Sequence, residues 1–291
     1  DFKSAAYTLS SFKFDDYKNK SSAGVDARVR WYVNTAEFFL AIGESGSASQ
    51  QIKRAHALIA ELMKQQTREA ALIVLRFKTC YARVLDNERK FHEAALRYME
   101  LSQSTFDAVK DSDRQQSLEY AISCAILAKA GPPRSRVLAL LYSDERSKHL
   151  QNFGMLEKMF KDRIISNAEV LAFEKMLQDH QKADTSNKRT VLQNSVIEHN
   201  LLAASKIYRN IRCDELGTLL GIDANEAEKL ASSMIEQGRL HATIDQVEAL
   251  IEFQAGGDEL HAWDEGINDV CITVNRLLDD IARKYPQYDL I

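Results

Sequence analysis

His92 and Glu93 open the pattern His-Glu-x-x-His. That pattern sets two imidazoles one helical turn apart on a zinc ion, with the glutamate as general base. Leu96 occupies the place of the second imidazole, so the site lacks a ligand. None of the seven histidines has another within four residues, and they read as solvated or core side chains. Gly217 and Gly221 have neither the spacing of a phosphate-cradling Gly-x-x-x-x-Gly-Lys loop nor its lysine. No Gly-x-Ser-x-Gly elbow presents a nucleophile. Carboxylates are plentiful but alternate with Lys and Arg, as on solvated helix faces. Cys80, Cys124, Cys213 and Cys271 form no Cys-x-x-Cys pair and read as buried thiols of a reducing compartment. An enzyme is the least supported class, and neither a metal nor a cofactor is expected.

What remains is recognition. The stretch "MIEQGRLHATIDQVEALIEF" (234–253) changes period partway. It reads as a helix to about Gln237, with Gly238 in the left-handed position that ends it. It then alternates, pauses at Asp245 and Gln246, and alternates again, which predicts strands over Leu240–Ile244 and Leu250–Phe253. Upstream, Asp214–Leu220 reads as a short helix stopped by Gly221, and Asp223 with Glu226 can cap the next one. Three helices and two strands make a winged helix, a fold that often reads DNA. From Asp214 to Arg239 there are six acidic residues and two basic ones, and the wing adds Asp245 and Glu248. Such a surface releases few counterions from a polyanion, so a DNA-binding regulator is the disfavoured alternative. The wing instead offers an outer strand, expected at Leu250, Ile251 and Phe253, whose backbone can pair with another sheet.

The 291 residues are 45% apolar and 27% charged with a net charge of −4, enough for two domains and with no global field for nucleic acid or anionic lipid. The longest apolar runs are too short to span a bilayer, and no secretory leader is expected. It begins at Asp1, which reads as a trimmed fragment. Helix periods run over Val25–Ile42, Ser49–Gln65, Arg68–Leu85, Lys90–Phe106 and Gln115–Lys129. Short polar breaks separate them at Gly43–Ser47, Asp86–Arg89, Asp111–Asp113 and Gly131–Pro133, so consecutive helices should be antiparallel neighbours. In "YARVLDNERKFHEAALRYMEL" small residues face large ones, as in a degenerate tetratricopeptide repeat. Ser166 and Glu169 have capping-box spacing, Asp184–Thr190 reads as a linker, and Val191–Tyr208 as a helix. Leu260, Trp263, Ile267, Val270, Val274, Leu277 and Ile281 alternate spacings of three and four, a heptad seam ended by Pro286. The seam fits either a partner's helices or the chain's own winged helix.

The helical repeats, the winged helix and "MIEQGRLHATIDQ" together resemble the PCI-domain family. Gly238, Leu240, Ile244, Asp245 and Gln246 fall on its helix-to-wing signature, and Ala249 stands where the family commonly has Gly. The stretches "KTCYARVLDNERKFHEAALRYMELS" (78–102), "YSDERS" (142–147), "LEKMFKDRII" (156–165) and "VIEHNLLAASKIY" (196–208) are similar to the fourth-subunit branch within the COP-nine signalosome. The paralogous proteasome-lid subunits are the close alternative. The resemblance implies a mainly α fold: a right-handed array of tetratricopeptide-like repeats over 1–142, lacking its first repeats, then a PCI domain over 143–255. The winged helix would occupy about 190–255 and a C-terminal bundle helix 258–285. It implies a non-catalytic scaffold, without cofactor, of the complex that removes the ubiquitin-like modifier from cullins and so regulates cullin–RING ligases. The metalloprotease of that complex is another subunit, using a His-x-His motif this chain lacks. Winged helices of such subunits join edge to edge and their C-terminal helices gather in a bundle. Other subunits are the implied partners of the wing and the seam, and the cullin–RING ligase of the N-terminal repeats, with neither nucleic acid nor membrane. Cytoplasm and nucleus are the implied locations.

Overall fold

The computed structural model describes residues 2–11, 24–65, 67–104, 106, 109–182, 189–254 and 259–284. The chain divides into two compact units, Asp1–Asn200 and Leu201–Ile291.

The first unit is helical among the described residues. In order come α1 (Phe2–Ser11), α2 (Val25–Ile42), α3 (Ser45–Met63), α4 (Arg68–Asn87), α5 (Phe91–Ser102), α6 (Asp111–Leu127) and α7 (Pro132–Ser143). A 3-10 turn (Glu145–His149), α8 (Phe153–Phe160) and α9 (Asn167–Glu174) follow, and α10 (Val191–Ile207) crosses the division between the units. Consecutive helices from α1 to α7 pack as neighbours, as short connections require. Ala82, Ala94, Ala95, Ala121 and Ala125 are buried where α4, α5 and α6 approach, so small side chains set their spacing.

Some breaks expected from the sequence are shorter or absent. Gly43 ends α2 at φ 85, and Ser45 already belongs to α3. Asp111 and Asp113 are not a break but the first turn of α6, where carboxylates offset the positive end of the helix. Pro132 and Pro133 open α7, in positions whose N–H groups would have no intrahelical partner. Ser166 and Glu169 form the expected capping box on α9. Thr190 and Gln193 exchange a reciprocal pair of the same kind at the start of α10, at 3.1 and 3.2 Å. The rest of the expected linker, 184–188, lies outside the described residues. One core joins Leu127, Leu141, Leu156 and Leu192, so packing continues across residue 142, where a domain boundary was expected.

Polar side chains stitch this core. Arg146 donates to the Ser102 carbonyl at 2.8 Å, satisfying the end of α5, and Asp144 holds its guanidinium at 2.7 and 3.0 Å. One turn of α10 does similar work. Ser195 donates to the Ile126 carbonyl at 2.6 Å, Glu198 accepts from the Ala130 N–H at 3.0 Å, and Asn200 pairs with both backbone groups of Ile165. His199 Nε2 lies 3.0 Å from the Arg163 carbonyl and can only donate there, so its Nδ1 accepts from Arg134 at 3.3 Å. Asp86 is buried, and its carboxylate accepts from Gln181 Nε2 at 2.9 and 3.1 Å with His180 Nε2 at 3.1 Å.

The second unit holds the rest of α10, β1 (Asn210–Arg212), α11 (Cys213–Leu220), α12 (Ala224–Glu236), β2 (Ala242–Asp245), β3 (Leu250–Phe253) and α13 (Glu259–Lys284). The strands form an antiparallel sheet in the order β1-β3-β2, with Ile211 and Ile244 both opposite Ile251. This is a winged helix with a three-stranded sheet; β1 is an addition to the expected two strands.

Candidate protein-docking surfaces

Three features build the wing. Gln237 caps α12, Gly238 turns left-handed at φ 65, and the N–H groups of Gly238 and Arg239 return to the Ile235 and Met234 carbonyls at 2.9 and 2.8 Å. That is the Schellman closure, and it aims the chain into the sheet. Leu240 then lies in a bend rather than in a strand, with its side chain buried. At the tip, Asp245 Oδ1 accepts from the Val247 and Glu248 N–H groups at 2.8 and 3.2 Å, which folds the turn. Gln246 Nε2 donates to Glu228 at 2.9 Å and ties the tip to α12. Ala249 closes the turn at φ 50, a conformation that suits the Gly it replaces. Ile244 is half-buried on the inner face.

The sheet order corrects the expected docking strand. β3 is the central strand, paired on both sides, and Ile251 and Phe253 are buried at 0% and 3% exposure. Leu250 is half-buried. The edges are β1 and β2. Gln254 N–H bonds to the His241 carbonyl at 3.0 Å, which by antiparallel alternation turns the backbone groups of Ala242 and Ile244 outward. Phe253 and Cys213 N–H groups bond to the Arg209 and Ala249 carbonyls, each at 2.8 Å, which turns Asn210 outward on the other edge. The β1 edge escapes a periodicity reading because one buried residue, Ile211, between two exposed ones makes no pattern.

The seam of α13 stands in water. Trp263 is 72% exposed, Val270 63% and Leu277 55%, and Ile267, Val274 and Ile281 are exposed as well. The side chain of Leu260 lies outside the described residues. Cys271, expected to be buried, is exposed beside the seam. Burial pushes the Cys80 thiol up to about 12 and the Cys124 thiol well above its ordinary value, so both stay protonated. Among the described residues no group of three or more His, Cys, Asp or Glu could hold a metal ion. No helix among them is long and apolar enough to cross a membrane. The charged residues of α12, the helix that a DNA-reading winged helix would present, are Glu226, Glu228 and Glu236 against Lys229.

Residues 177–255 match the family model of the PCI domain. The chain is 48% identical over 261 residues to the "COP9 signalosome complex subunit 4" of Dictyostelium discoideum, covering 90% of this chain and 64% of that protein. It is 44% identical over 257 residues to the protein of that name from Arabidopsis thaliana, covering 87% and 63%. The protein of that name from Neurospora crassa is 37% identical over 303 residues, covering 98% of this chain and 67% of its own length. The chain thus spans just under two thirds of the first two relatives.

Proposed function

The chain belongs to the COP9 signalosome complex subunit 4 family of PCI-domain proteins, and from that premise we propose that it is a non-catalytic scaffold subunit of a signalosome. The observation that carries the reading is the apolar seam of α13, exposed along Trp263–Ile281. An apolar stripe at heptad spacing is stable in water only against other helices. Other signalosome subunits are the partners of this seam and of the winged-helix edges. The catalytic metal belongs to another subunit, and the activity served is removal of the ubiquitin-like modifier from cullins. The helical repeats of the first unit face the cullin–RING ligase. The complex works in the cytoplasm and the nucleus, and it needs neither nucleic acid nor membrane.

Affinity purification of the tagged full-length protein at native expression, followed by mass spectrometry, tests this. Recovery of the other signalosome subunits in fixed ratio is expected. Recovery of the chain alone, or with proteasome-lid subunits instead, would overturn it.

A further inference from the structure

One turn of α10 fastens two connections of the first unit, and its histidine can do so in one protonation state. His199 is 2% exposed and stands between two groups of fixed character. On one side the Arg163 carbonyl, which only accepts, lies 3.0 Å from Nε2. On the other the Arg134 guanidinium, which only donates and keeps its charge, lies 3.3 Å from Nδ1. Nε2 therefore carries the ring proton, and Nδ1 offers its lone pair. A second proton would sit on Nδ1, facing the guanidinium. Two cations at that distance repel, and burial by itself disfavours the charged ring. The closed arrangement has no place for that proton.

Arg134 passes the consequence on. It is 3% exposed, and its Nη1 donates to Ser195 Oγ at 3.0 Å and to the Ala128 carbonyl at 3.2 Å. Ser195 in turn donates to the Ile126 carbonyl at 2.6 Å. A guanidinium driven away from an imidazolium thus loosens the end of α6 and the start of α7 from α10. Four other charged residues belong to the elements that meet here. Glu198, on the same turn, accepts through Oε2 from the Ala130 N–H at 3.0 Å. Lys129 in the α6–α7 connection and Arg163 in the α8–α9 connection have exposed side chains, and Asp162 is half-buried beside Arg163.

We propose that His199 is a pH-sensitive latch. As a neutral ring it fastens α10 to the α6–α7 and α8–α9 connections, and on taking up one proton from solvent it releases that turn. A histidine freed into water takes up its proton near pH 6.5, at about the unperturbed value. Below that pH the open state binds more protons than the closed one, so the hold is complete at neutral pH and above. It begins to be lost at about pH 6.5 and weakens further as the pH falls. With the closed ring kept neutral, the opening constant grows about tenfold between about pH 7.5 and about pH 5.5. His180 works in the opposite sense, because its Nε2 lies 3.1 Å from the buried Asp86 carboxylate and a proton strengthens that contact. The latch concerns the hold on α10 and is independent of which proteins dock on the chain.

Hydrogen exchange of the full-length chain tests it, read by mass spectrometry on the peptide covering 195–200 and normalised to the intrinsic exchange rate at each pH. The parent should open about tenfold more at about pH 5.5 than at about pH 7.5. His199→Gln keeps a donor for the Arg163 carbonyl and takes up no proton, so its opening should agree at the two pH values to within about twofold. His180 is present in both proteins, so its contribution cancels in the comparison. Should His199→Gln fail to fold, the ¹⁵N resonances of the parent's histidines decide. At about pH 6.5 the closed His199 ring should show a protonated Nε2 and a bare Nδ1. Equal opening of the parent at both pH values, the same rise in His199→Gln, or a doubly protonated His199 ring in the closed chain would overturn the proposal.

Discussion

Replacing Val270 and Leu277 with Asp should abolish assembly and leave the isolated chain nearly as stable as before. Val270 is 63% exposed and Leu277 55%, so more than half of each side chain already lies in water. Full burial of a Val or Leu is worth roughly 1.5–3 kcal/mol, so each truncation costs the isolated chain about 1 kcal/mol or less. Among partner helices the remaining surface would be buried as well, and each new carboxylate would enter an apolar seam without a partner. Burial of an unpaired polar group adds roughly 2 kcal/mol or more. The combined loss in the assembly is then on the order of 5 kcal/mol, at least about a thousandfold in the association constant. Calorimetry of the isolated chain and size-exclusion co-migration with the other subunits read the two terms on one preparation. A melting temperature within a few degrees of the parent, together with loss of co-migration, is expected. A fall of about 8 °C or more with assembly intact would mean that the seam serves the chain's own stability, and the reasoning from exposure would fail.

Gln181→Leu should destabilise the first unit by roughly 2–4 kcal/mol in urea titrations, because buried Asp86 loses two hydrogen bonds; adding Asp86→Leu should recover part of the loss. If Gln181→Leu is neutral, the bridge contributes nothing. Ala249→Gly relieves a left-handed alanine at about 1 kcal/mol and gives back some of it as chain entropy, so a rise in melting temperature of a few degrees or less is expected, and a fall would contradict the turn geometry. The Lys158 ammonium, with the Ser166 N–H, holds the Glu169 carboxyl below its ordinary value. A depressed carboxylate contributes stability above its unfolded value of about 4.3 and loses it as pH falls through the lower folded value. The melting-temperature gap between the parent and Glu169→Gln should therefore be open at neutral pH and close below about pH 4; a gap independent of pH would exclude this origin. A gel-shift titration with duplex DNA at moderate salt should show no tight complex, and submicromolar sequence-selective binding would contradict the acidic balance of α12.

The elements legible in the sequence are those whose signal is local. α2 begins and ends as its periodicity predicts, α10 differs by one residue, and the capping box on α9 forms as spaced. The wing was legible as a change of period after Gly238, whose left-handed φ is the physical cause of that change. What stayed hidden is non-local. The placing of β3 between β1 and β2 depends on a pairing between residues about forty positions apart, and β1 is too short to announce itself. That is why Ile251 and Phe253 were expected on an edge and are found in the core. The contact of Asp86 with Gln181 spans 95 residues and leaves no trace in spacing. The stretches that carried the family resemblance are explained in the same way. Asp144 and Arg146 in "YSDERS" close the end of α5, and Glu198, His199 and Asn200 in "VIEHN" bind backbone groups of the α6–α7 and α8–α9 connections. Their residue types follow from backbone groups that need partners in this packing.

A winged helix does not by itself make a DNA reader, because affinity for the duplex comes from what its surface carries. Here the charged residues of α12 are mostly acidic, Glu226, Glu228 and Glu236, and Glu228 is further engaged by Gln246 of the wing. That bond holds the tip of the wing against an acidic helix. Among the described residues, by contrast, the outer backbone groups of the sheet edges and the apolar side chains of the α13 seam lie outside the unit's own core. A scaffold needs such surplus in places that do not compromise its folding. The sheet meets that need by burying Ile211, Ile251 and Phe253 on its inner face while the charged residues of its two edges stay in water. In the proposed assembly, stability and docking are then carried by different residues, and substitutions on the edges should change docking without unfolding the module.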